Sequence, residues 1–466
     1  EYALAGGRIN TDAIDNSGGV DSSDLEVNIK IALGTAEAAG RIDRDARNRL
    51  LADMTPEVID LVLRTNVLQT QQISLMQAES TTRFDEQVSF MRALERDGRL
   101  DRRLEGLPDD ETIEMRARER AGLTRPELAV LISYNKLALA DAALAGGLAD
   151  DPALEGWLFD GLPAALGQRF GDDVRGHRLR RELIATLVTN QMVDRLGIAS
   201  AHRLPAGFGT RMEAAVRGYV LADAWLGGES LFEAVDAQTG ALAAEAQYRA
   251  HRIAIAFLKH AMNWWLATPG LGEDISALLA RYQPGATALV AELPDYLTGA
   301  YRERFEATEQ AWTEQGMTPD LARRIAVADV GGGIMDIAAL AAERDVAVTE
   351  VAALYYRLGD LLGVPWLQNA IHNLPANERW QALARMSLRG DSYRIHQRIV
   401  DQVLTRTVDD PLADWQADNE RTLAFISARL GELQAIEAPG HEHLTVVVRD
   451  LARLTLPGQT SLGGAA

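Results

Sequence analysis

The residues best suited to chemistry are concentrated in the first 34 positions of this 466-residue chain. The stretch is rich in Asn, Asp and Ser and holds five glycines: Gly6, Gly7, Gly18, Gly19 and Gly34. Such a density of turn formers predicts an irregular segment, which leads into an apolar helix at 25–33 that Ser23 or Asp24 could cap. Free N–H groups at such a helix start suit a carboxylate or a phosphate. The segment is therefore the first candidate for function, and a solvated turn that binds nothing is the alternative.

Two segments carry metal-binding residue types without the pattern of a complete site. Residues 15–26 have the length of a calcium loop, but the sharp turn at the sixth position needs Gly and finds Val20. His441 and His443 follow a Pro-Gly pair, and two imidazoles at this spacing share a metal only in an extended segment. No third ligand is identifiable, so we interpret the histidine segment as a solvated turn and predict no metal site.

The run Gly331-Gly332-Gly333 has only a superficial likeness to a dinucleotide-binding loop. The dinucleotide pattern requires a further Gly where Asp336 stands, and no strand–helix–strand unit surrounds the run. The sequence therefore favours a flexible joint between two helices. The aromatic pairs at 264–265 and 355–356 lie in predicted helices, and we expect them to be core or interface anchors.

The overall composition excludes several classes of function. The chain has 47 Lys and Arg residues and 67 Asp and Glu residues, which gives a net charge of −20. Binding to nucleic acid or to an anionic membrane surface needs a surplus of basic side chains, so neither partner is expected. No apolar stretch of about 18 residues or more occurs, so no membrane span is expected. The chain has no cysteine, which removes disulfide and thiolate chemistry and favours a reducing compartment, the cytoplasm.

From about residue 35 to about residue 455 the pattern is helical throughout. Apolar residues recur at helical spacing, and residues 56–98 are expected to form one long helix or two joined helices. Thr124 and Glu127 predict a capping box, and Thr-Pro or Asp-Pro pairs at 55, 318 and 410 predict three further helix starts. The clearest apolar stripe, ended by a Gly and a Pro at 363 and 365, consists of Val351, Leu354, Tyr355, Leu358, Leu361 and Leu362. These patterns predict a mainly α fold, as one large helical body or two abutting ones.

Four segments resemble one protein family. The stretch from Gly6 to Ile31, centred on Asn16-Ser17-Gly18-Gly19-Val20, closely resembles a stretch of the large bacterial NAD-specific glutamate dehydrogenases. Residues 122–131, 180–186 and 379–385 are similar to that family's helical region, in the same order along the chain. These enzymes are very long chains in which a catalytic domain is followed by an extended helical domain. The resemblance therefore implies the C-terminal portion of such an enzyme.

The resemblance also implies a domain boundary. Residues 1–34 would be the last loop and helix of an α/β Rossmann-type cofactor domain, and residues 35–466 the helical domain, with two abutting subdomains as one arrangement. The chain begins Glu-Tyr-Ala-Leu without Met, which we expect of a segment from inside a longer polypeptide. The family's catalytic Lys and Asp and its dinucleotide glycine loop match no residue of this chain. No catalytic residue is therefore assigned, and the chain alone is expected not to oxidise glutamate.

Substrate and cofactor roles follow from the same resemblance. Ser23 falls at the family's Ser that hydrogen-bonds the side-chain carboxylate of glutamate, and a short neutral donor suits that role. Val20 would pack against the carbon chain of the substrate. Asn16 would lie where the nicotinamide end of NAD meets the substrate, while Gly18 and Gly19 allow the backbone to approach a ligand closely.

The activity implied is oxidative deamination of L-glutamate to 2-oxoglutarate and ammonium with reduction of NAD, in a homo-oligomer. Gly18, Ser22 and Leu25 depart from the Ala, Cys and His usual in the family, and none of these changes removes a carboxylate donor. One alternative is a stand-alone α-helical regulatory or oligomerisation protein without catalysis. Another is a dehydrogenase for a different amino acid, although a hydroxyl at Ser23 favours a substrate with a carboxylate side chain over an apolar one.

Overall fold

The computed structural model describes residues 1–198, 208–375 and 379–456. Within these ranges every regular element is a helix, and the one β feature is an isolated bridge between Thr239 and Leu242. The prediction of a mainly α fold is confirmed. The chain forms two compact units, one made of Glu1–Val220 with Pro269–Ser276, the other of Leu221–Thr268 with the described residues from Ala277 onward.

The first unit contains the helices of the N-terminal part of the chain. α1 is a single turn, Asp12–Asp15, and α2 is a long helix, Ser17–Ala38. The next helices are α3 (Arg44–Asp53), α4 (Thr55–Ala78), α5 (Phe84–Arg96), α6 (Asp110–Glu119), α7 (Arg125–Ala145), α8 (Glu155–Asp160), α9 (Ala164–Arg175), α10 (Arg180–Leu196) and α11 (Met212–Leu226). Of α11, the residues up to Val220 belong to the first unit and the rest to the second. Residues 56–98 thus form two helices, α4 and α5, which is the second of the two predicted arrangements.

The core of the first unit lies where α2, α4, α7 and α10 pack together. α10 packs along α7, and α4 contacts α2, α7 and α10. These contacts bury apolar side chains almost completely, among them Leu33 of α2, Ile73 of α4, Leu131 of α7 and Val188 of α10. Burial of each such side chain stabilises the fold by about 1.5–3 kcal/mol, so one side of α2 is firmly held by its neighbours.

The second unit is built from the later helices. They are α12 (Gly228–Asp236), α13 (Ala244–Ala267), α14 (Ile275–Tyr296), α15 (Gly299–Glu314), α16 (Pro319–Val330), α17 (Ile334–Arg344), α18 (Val348–Leu361), α19 (Val364–His372), α20 (Arg379–Leu404), α21 (Pro411–Gln434) and α22 (His441–Ala452). α16 packs against α15 and α13, and α20 contacts α17, α18, α19 and α22. α16 and α20 are therefore the central helices of this unit.

Aromatic side chains fill much of this second core. The Trp225 ring packs against Trp264 and Trp265 with ring centroids 5.0 and 4.9 Å away. Trp265, Tyr355 and Tyr356 are at most 1% exposed. The prediction that the two aromatic pairs anchor a core is confirmed for these three residues.

Local sequence signals set several helix boundaries as predicted. The Thr124 amide donates to Glu127 Oε2 at 2.7 Å at the start of α7, as the predicted capping box requires. Asp410 caps α21, where its side chain accepts from the amide three residues on at 3.0 Å. At position 55 the prediction is off by one residue, because α4 begins at Thr55 itself and Met54 is the N-cap.

The predicted apolar stripe of α18 is largely buried. Val351, Tyr355 and Leu358 are buried, whereas Leu361, the last residue of the helix, is 43% exposed. The predicted stop is confirmed, because Gly363 has a φ of +65° that other residues rarely adopt, and Pro365 lies in the first turn of α19.

The run Gly331–Gly333 is a tight 3-10 turn that joins α16 to α17. It is a joint between helices, as predicted, but it is packed into the core rather than loose. A Cβ on Gly332 would lie 2.1 Å from Tyr393 Oη, and one on Gly333 would lie 2.4 Å from a ring carbon of Tyr355. These positions therefore require glycine because of two neighbouring tyrosine rings, and not because the chain bends there.

Two segments are long and apolar enough to cross a membrane by length and composition alone, Arg125–Ala145 and Pro319–Arg344. The first is α7, and the second runs from α16 through α17, with 83% of its most apolar window buried inside the protein. Core helices of water-soluble proteins have the same length and composition, so the finding is weak evidence for a span. The expectation of no membrane partner stays a prediction.

Candidate functional site

Polar contacts hold residues 10–17 against α4 and α7. The Asn10 backbone amide donates to Asp15 Oδ2 at 3.0 Å, and its side chain donates to Asp15 Oδ1 at 2.7 Å. Arg125, the first residue of α7, donates from Nε to Asn10 Oδ1 at 3.0 Å. Asn66 of α4 donates to the Ile14 carbonyl at 3.0 Å. Tertiary contacts therefore fix the segment, while its Asp12, Ala13, Asp15 and Asn16 side chains stay exposed.

α2 begins at Ser17 rather than at Ser23 or Asp24, so the predicted irregular stretch is confirmed for residues 1–11 and wrong for residues 17–24. Asn16 occupies the N-cap position, and its side chain makes no capping hydrogen bond. Ser17 explains the early start, because its Oγ donates to the carbonyl three residues earlier at 3.0 Å and accepts from the Asn66 side chain at 2.9 Å. These contacts outweigh the low helix propensity of the Gly, Ser and Asp residues that follow. Both glycines at 18 and 19 thus lie in the first helical turn.

Three of the five predicted site residues share one exposed side of α2. Asn16, Val20 and Ser23 recur at helical spacing and all are exposed, with Val20 at 53%. Val27 continues this side one turn further along and is 52% exposed. We name these four residues the α2 face. Two large apolar side chains with this exposure on one helix face are typical of a surface that another group covers.

The two glycines beside the α2 face have different surroundings. A Cβ on Gly19 would come within 2.6 Å of Asn16 Oδ1, so the Asn16 side chain lies over the space that a larger residue would fill. A Cβ on Gly18 would meet nothing within 4 Å. The space beside Gly18 is therefore open to a ligand, whereas the space at Gly19 is taken by Asn16.

The Ser23 hydroxyl is exposed, but its hydrogen bond is made inside the helix. Ser23 Oγ donates to the Gly19 carbonyl at 2.9 Å. A hydroxyl has one hydrogen to donate, so donation to a ligand carboxylate requires rotation away from this carbonyl. The rotation gives up a hydrogen bond of about 1 kcal/mol and needs no movement of the backbone.

Buried charges lie on the other side of α2. Asp21 Oδ2 is buried and has no hydrogen-bond partner among the described residues. Burial raises the pKa of this carboxyl, while the Lys136 charge lowers it. Lys136 of α7 pairs with Asp194 of α10 at 2.8 Å. Burial also raises the pKa of Asp194. The ion pair links α7 to α10 on the side of α2 opposite the α2 face. It therefore supports α2 and takes no part in the exposed surface.

The α2 face carries groups that suit one edge of a charged, partly apolar ligand. Asn16 supplies an amide and Ser23 a hydroxyl, and the start of α2 adds backbone N–H groups at the positive end of the helix dipole. Val20 and Val27 add apolar surface. Because all of these groups are exposed, they contact a ligand from one side and do not enclose it. None of them is an acid or base that titrates near neutral pH, so the face can bind and orient but not transfer protons.

The paired histidines lie in the first turn of α22, so the prediction of a solvated turn there is wrong. His443 Nδ1 accepts from the Gly440 amide at 2.9 Å, and His441 Nε2 lies 3.2 Å from the Gln381 carbonyl. Both side chains thus take part in structural hydrogen bonds. In the part of the chain that the structure describes, no group of three or more His, Asp or Glu residues is placed to hold a metal ion.

Sequence reasoning missed the two residues that position the candidate segment. Arg125 is 6% exposed and also donates to Ser74 Oγ at 2.9 Å, so one guanidinium joins residue 10, α4 and α7. Asn66 was not singled out either, although it fixes the start of α2. No spacing rule connects position 10 with position 125, and only the tertiary structure brings them together.

Comparison with known families shows what class of protein has these features. The family model described as glutamate dehydrogenase, C-terminal, matches residues 120–453. The model described as bacterial NAD-glutamate dehydrogenase, catalytic domain, matches residues 1–76, which include the whole α2 face. Because the first match covers well over half of the chain, the chain belongs to this glutamate dehydrogenase family.

Three similar curated proteins are each named NAD-specific glutamate dehydrogenase. The chain is 32% identical to the protein from Mycobacterium tuberculosis over 100% of this chain and 29% of the relative. It is 33% identical to the protein from Pseudomonas aeruginosa over 98% of this chain and 29% of the relative. For the protein from Halomonas elongata the identity is 33% over 87% of this chain and 25% of the relative. The chain thus spans less than a third of the length of the relatives it matches, and the resemblance inferred from the sequence is confirmed.

Proposed function

We propose that the chain is part of an NAD-dependent glutamate dehydrogenase, which converts L-glutamate, NAD⁺ and water to 2-oxoglutarate, ammonium and NADH. The observation that carries the proposal is the pair of family matches, to a catalytic domain at residues 1–76 and to a C-terminal region at residues 120–453. Relatives that match nearly the whole chain are named as NAD-specific enzymes of this class.

The surface of residues 1–76 supports a role as part of a larger catalytic domain. Besides the α2 face, α4 exposes Ile59, Leu63 and Val67, which are 51%, 57% and 55% exposed and follow one another at one-turn spacing. Such an apolar stripe is typical of a surface that other parts of a protein cover. In the proposal, the rest of a Rossmann-type cofactor domain covers these residues.

The proposed domain boundary rests on the family resemblance. Residues 1–34 are the end of the cofactor domain in this proposal, and residues 35–466 are the helical domain. α2 crosses the boundary and ends at Ala38, so the two parts share one continuous helix.

The α2 face provides the proposed contacts to substrate and cofactor. Ser23 donates to the side-chain carboxylate of glutamate, and Val20 packs against its carbon chain. Asn16 contacts the nicotinamide end of NAD, the open space at Gly18 admits the ligand, and Gly19 leaves room for the Asn16 side chain. Since these groups act from one side only, the proton-transfer groups and the remaining NAD contacts belong to other residues of the complete protein.

Replacing Ser23 by Ala in the full-length enzyme tests the substrate contact. We expect the KM for glutamate to rise about tenfold or more, because a hydrogen bond to a charged group contributes about 1.5–3 kcal/mol. The KM for NAD should stay nearly unchanged, since the hydroxyl is not placed at the cofactor. Steady-state kinetics with each substrate varied in turn separates the two effects.

Ser22→Ala is the matched control for this substitution. Ser22 carries the same hydroxyl one position earlier on α2 and lies outside the α2 face, where it is half-buried. We expect its KM for glutamate to equal that of the parent enzyme. An unchanged KM in Ser23→Ala, or an equal rise in both variants, would remove Ser23 from the substrate site.

The proposal also includes a cytoplasmic homo-oligomer without nucleic-acid or membrane partners. The lack of cysteine supports a reducing compartment, and the net charge of −20 disfavours contact with nucleic acid or anionic lipid. Light scattering on the full-length enzyme tests the assembly, and a monomeric mass would contradict it.

A further inference from the structure

A cavity of about 230 Å³ lies inside the second unit, among α13, α15, α16, α19 and α20. Nitrogen-bearing side chains dominate its polar lining: Arg252, Arg304, Arg389, His260 and His372. Asp329 is the carboxylate of the lining. The cavity contains none of the α2-face residues, so what it binds does not depend on the proposed catalytic contacts.

The lining carries more positive than negative charge, although the chain as a whole is strongly acidic. Arg304 forms a bidentate ion pair with Asp329, with Nε and Nη2 each 2.7 Å from a carboxylate oxygen. Arg252 lies 3.5 Å from Glu245, a residue outside the lining. Among the described residues, Arg389 contacts the hydroxyl of Tyr393 and no carboxylate. Its charge is therefore the one most available to an anion.

The pKa values of both histidines in the lining are lowered. Burial, with the Arg389 charge adding to it, lowers the pKa of His260 to about 3, and His260 Nε2 lies 3.0 Å from the Gly332 carbonyl. Burial and the charges of Arg389 and other arginines also lower the pKa of His372. His260 is thus neutral at physiological pH, and the positive charge of the cavity comes from arginine.

Two buried hydrogen-bonding groups of the lining have no partner. Tyr301 is 6% exposed, and its Oη forms no hydrogen bond in the described structure. Gln368 Nε2 is buried and likewise unpartnered. Leaving such groups unsatisfied destabilises a fold, so each one requires an explanation. Tyr301 Oη lies against Gly359 of α18, which does not line the cavity. A bound molecule with acceptor oxygens explains the buried amide of Gln368, because its N–H can donate to such a molecule.

We propose that this cavity binds a small oxyanion, a carboxylate or a phosphate, with Arg389 as its main charge partner and Gln368 as a hydrogen-bond donor. A guanidinium fits paired oxygens of either group. Ile253, Phe257 and other apolar side chains line the rest of the cavity and accommodate a short carbon chain. The volume suits a molecule of this size rather than a nucleotide.

Calorimetric titration of the purified chain tests the proposal with two separate probes, inorganic phosphate and succinate. We expect at least one of them to bind with a Kd below about 1 mM. Arg389→Gln should weaken that binding at least tenfold, because it removes the main charge partner. Arg398→Gln is the matched control, since it removes the same charge from an exposed position of α20 and should leave the Kd unchanged.

A second variant tests the hydrogen-bond donor. Gln368 lines the cavity, and its Nε2 is buried without a partner among the described residues. Gln368→Leu should weaken anion binding several-fold without lowering the Tm of the ligand-free chain, because it removes an unsatisfied amide.

The outcomes are distinct. Binding of phosphate alone or of succinate alone supports the site and identifies the class of its ligand, and binding of both supports a general oxyanion site. Binding of neither probe overturns the proposal. Binding that Arg389→Gln leaves unchanged, or that Arg398→Gln weakens as much as Arg389→Gln, also overturns it.

Discussion

Asp336 is a carboxyl group in the core of the second unit. It is 2% exposed and accepts hydrogen bonds from Trp264 Nε1 at 2.9 Å and from Tyr355 Oη at 3.2 Å. Burial raises its pKa to about 7, although the two donors act to lower it. A charged carboxylate is costly in these surroundings, so the folded protein keeps this proton at pH values where the unfolded chain has lost it.

Replacing Asp336 by Asn should change how stability depends on pH. The unfolded carboxyl ionises near pH 3.8 and the folded one near pH 7, so the contribution of Asp336 is fully present below pH 3.8 and is lost as the pH rises to about 7. Over this window the free energy of unfolding of the parent should fall by about 1 kcal/mol per pH unit relative to Asp336→Asn. Urea unfolding at several pH values measures the difference.

Asp320→Asn is the matched control for the pH experiment. Asp320 is exposed in the first turn of α16, so its substitution removes a carboxyl group that is not buried. Its stability should follow that of the parent between pH 4 and 7. Equal pH slopes for the parent and Asp336→Asn would show that the folded carboxyl is not protonated in this range.

Substitution in the glycine turn between α16 and α17 tests how tightly this element is packed. Gly333→Ala should destabilise the protein by about 1–3 kcal/mol, because the new Cβ overlaps the buried ring of Tyr355. Gly431→Ala is the matched control in α21, where a Cβ meets nothing within 4 Å. There alanine should stabilise the helix by about 0.5–1 kcal/mol. Chemical denaturation measures both, and a Gly333→Ala protein as stable as the parent would mean that the ring moves aside freely.

Helix boundaries show which elements could be predicted from sequence. The starts of α7 and α21 are confirmed because a capping side chain and the amide it binds lie within three residues of each other. The predicted start of α2 is wrong because the real start depends on Asn66. Asn66 lies 49 positions from Ser17, so no local pattern in the sequence indicates their contact. The sequence predicts a flexible joint at Gly333, whereas the structure has a packed turn. The sequence does not indicate the packing, because the Tyr355 ring that contacts Gly333 belongs to another helix.

At the scale of the whole molecule, the resemblance to a family carried more information than any motif. The helical fold followed from apolar periodicity, and the residues of the α2 face followed from a short run of similar sequence. The oxyanion cavity was beyond sequence reasoning, because Arg304 and Arg389 lie on different helices and neither belongs to a spaced motif. The roles of Asn16, Gly18, Gly19, Val20 and Ser23 remain predictions that rest on the family.

The central proposal is that the chain is part of a glutamate dehydrogenase, to which it supplies substrate and cofactor contacts but no proton-transfer group. The most direct test is glutamate-dependent NADH formation, measured at equal molar concentration for purified residues 1–466 and for the longer native polypeptide that contains them. We expect the longer polypeptide to produce NADH and residues 1–466 alone to produce none, because the exposed α2 face has no proton-transfer group and encloses no cofactor. NADH formation by residues 1–466 alone, or none by the longer polypeptide, would contradict the account.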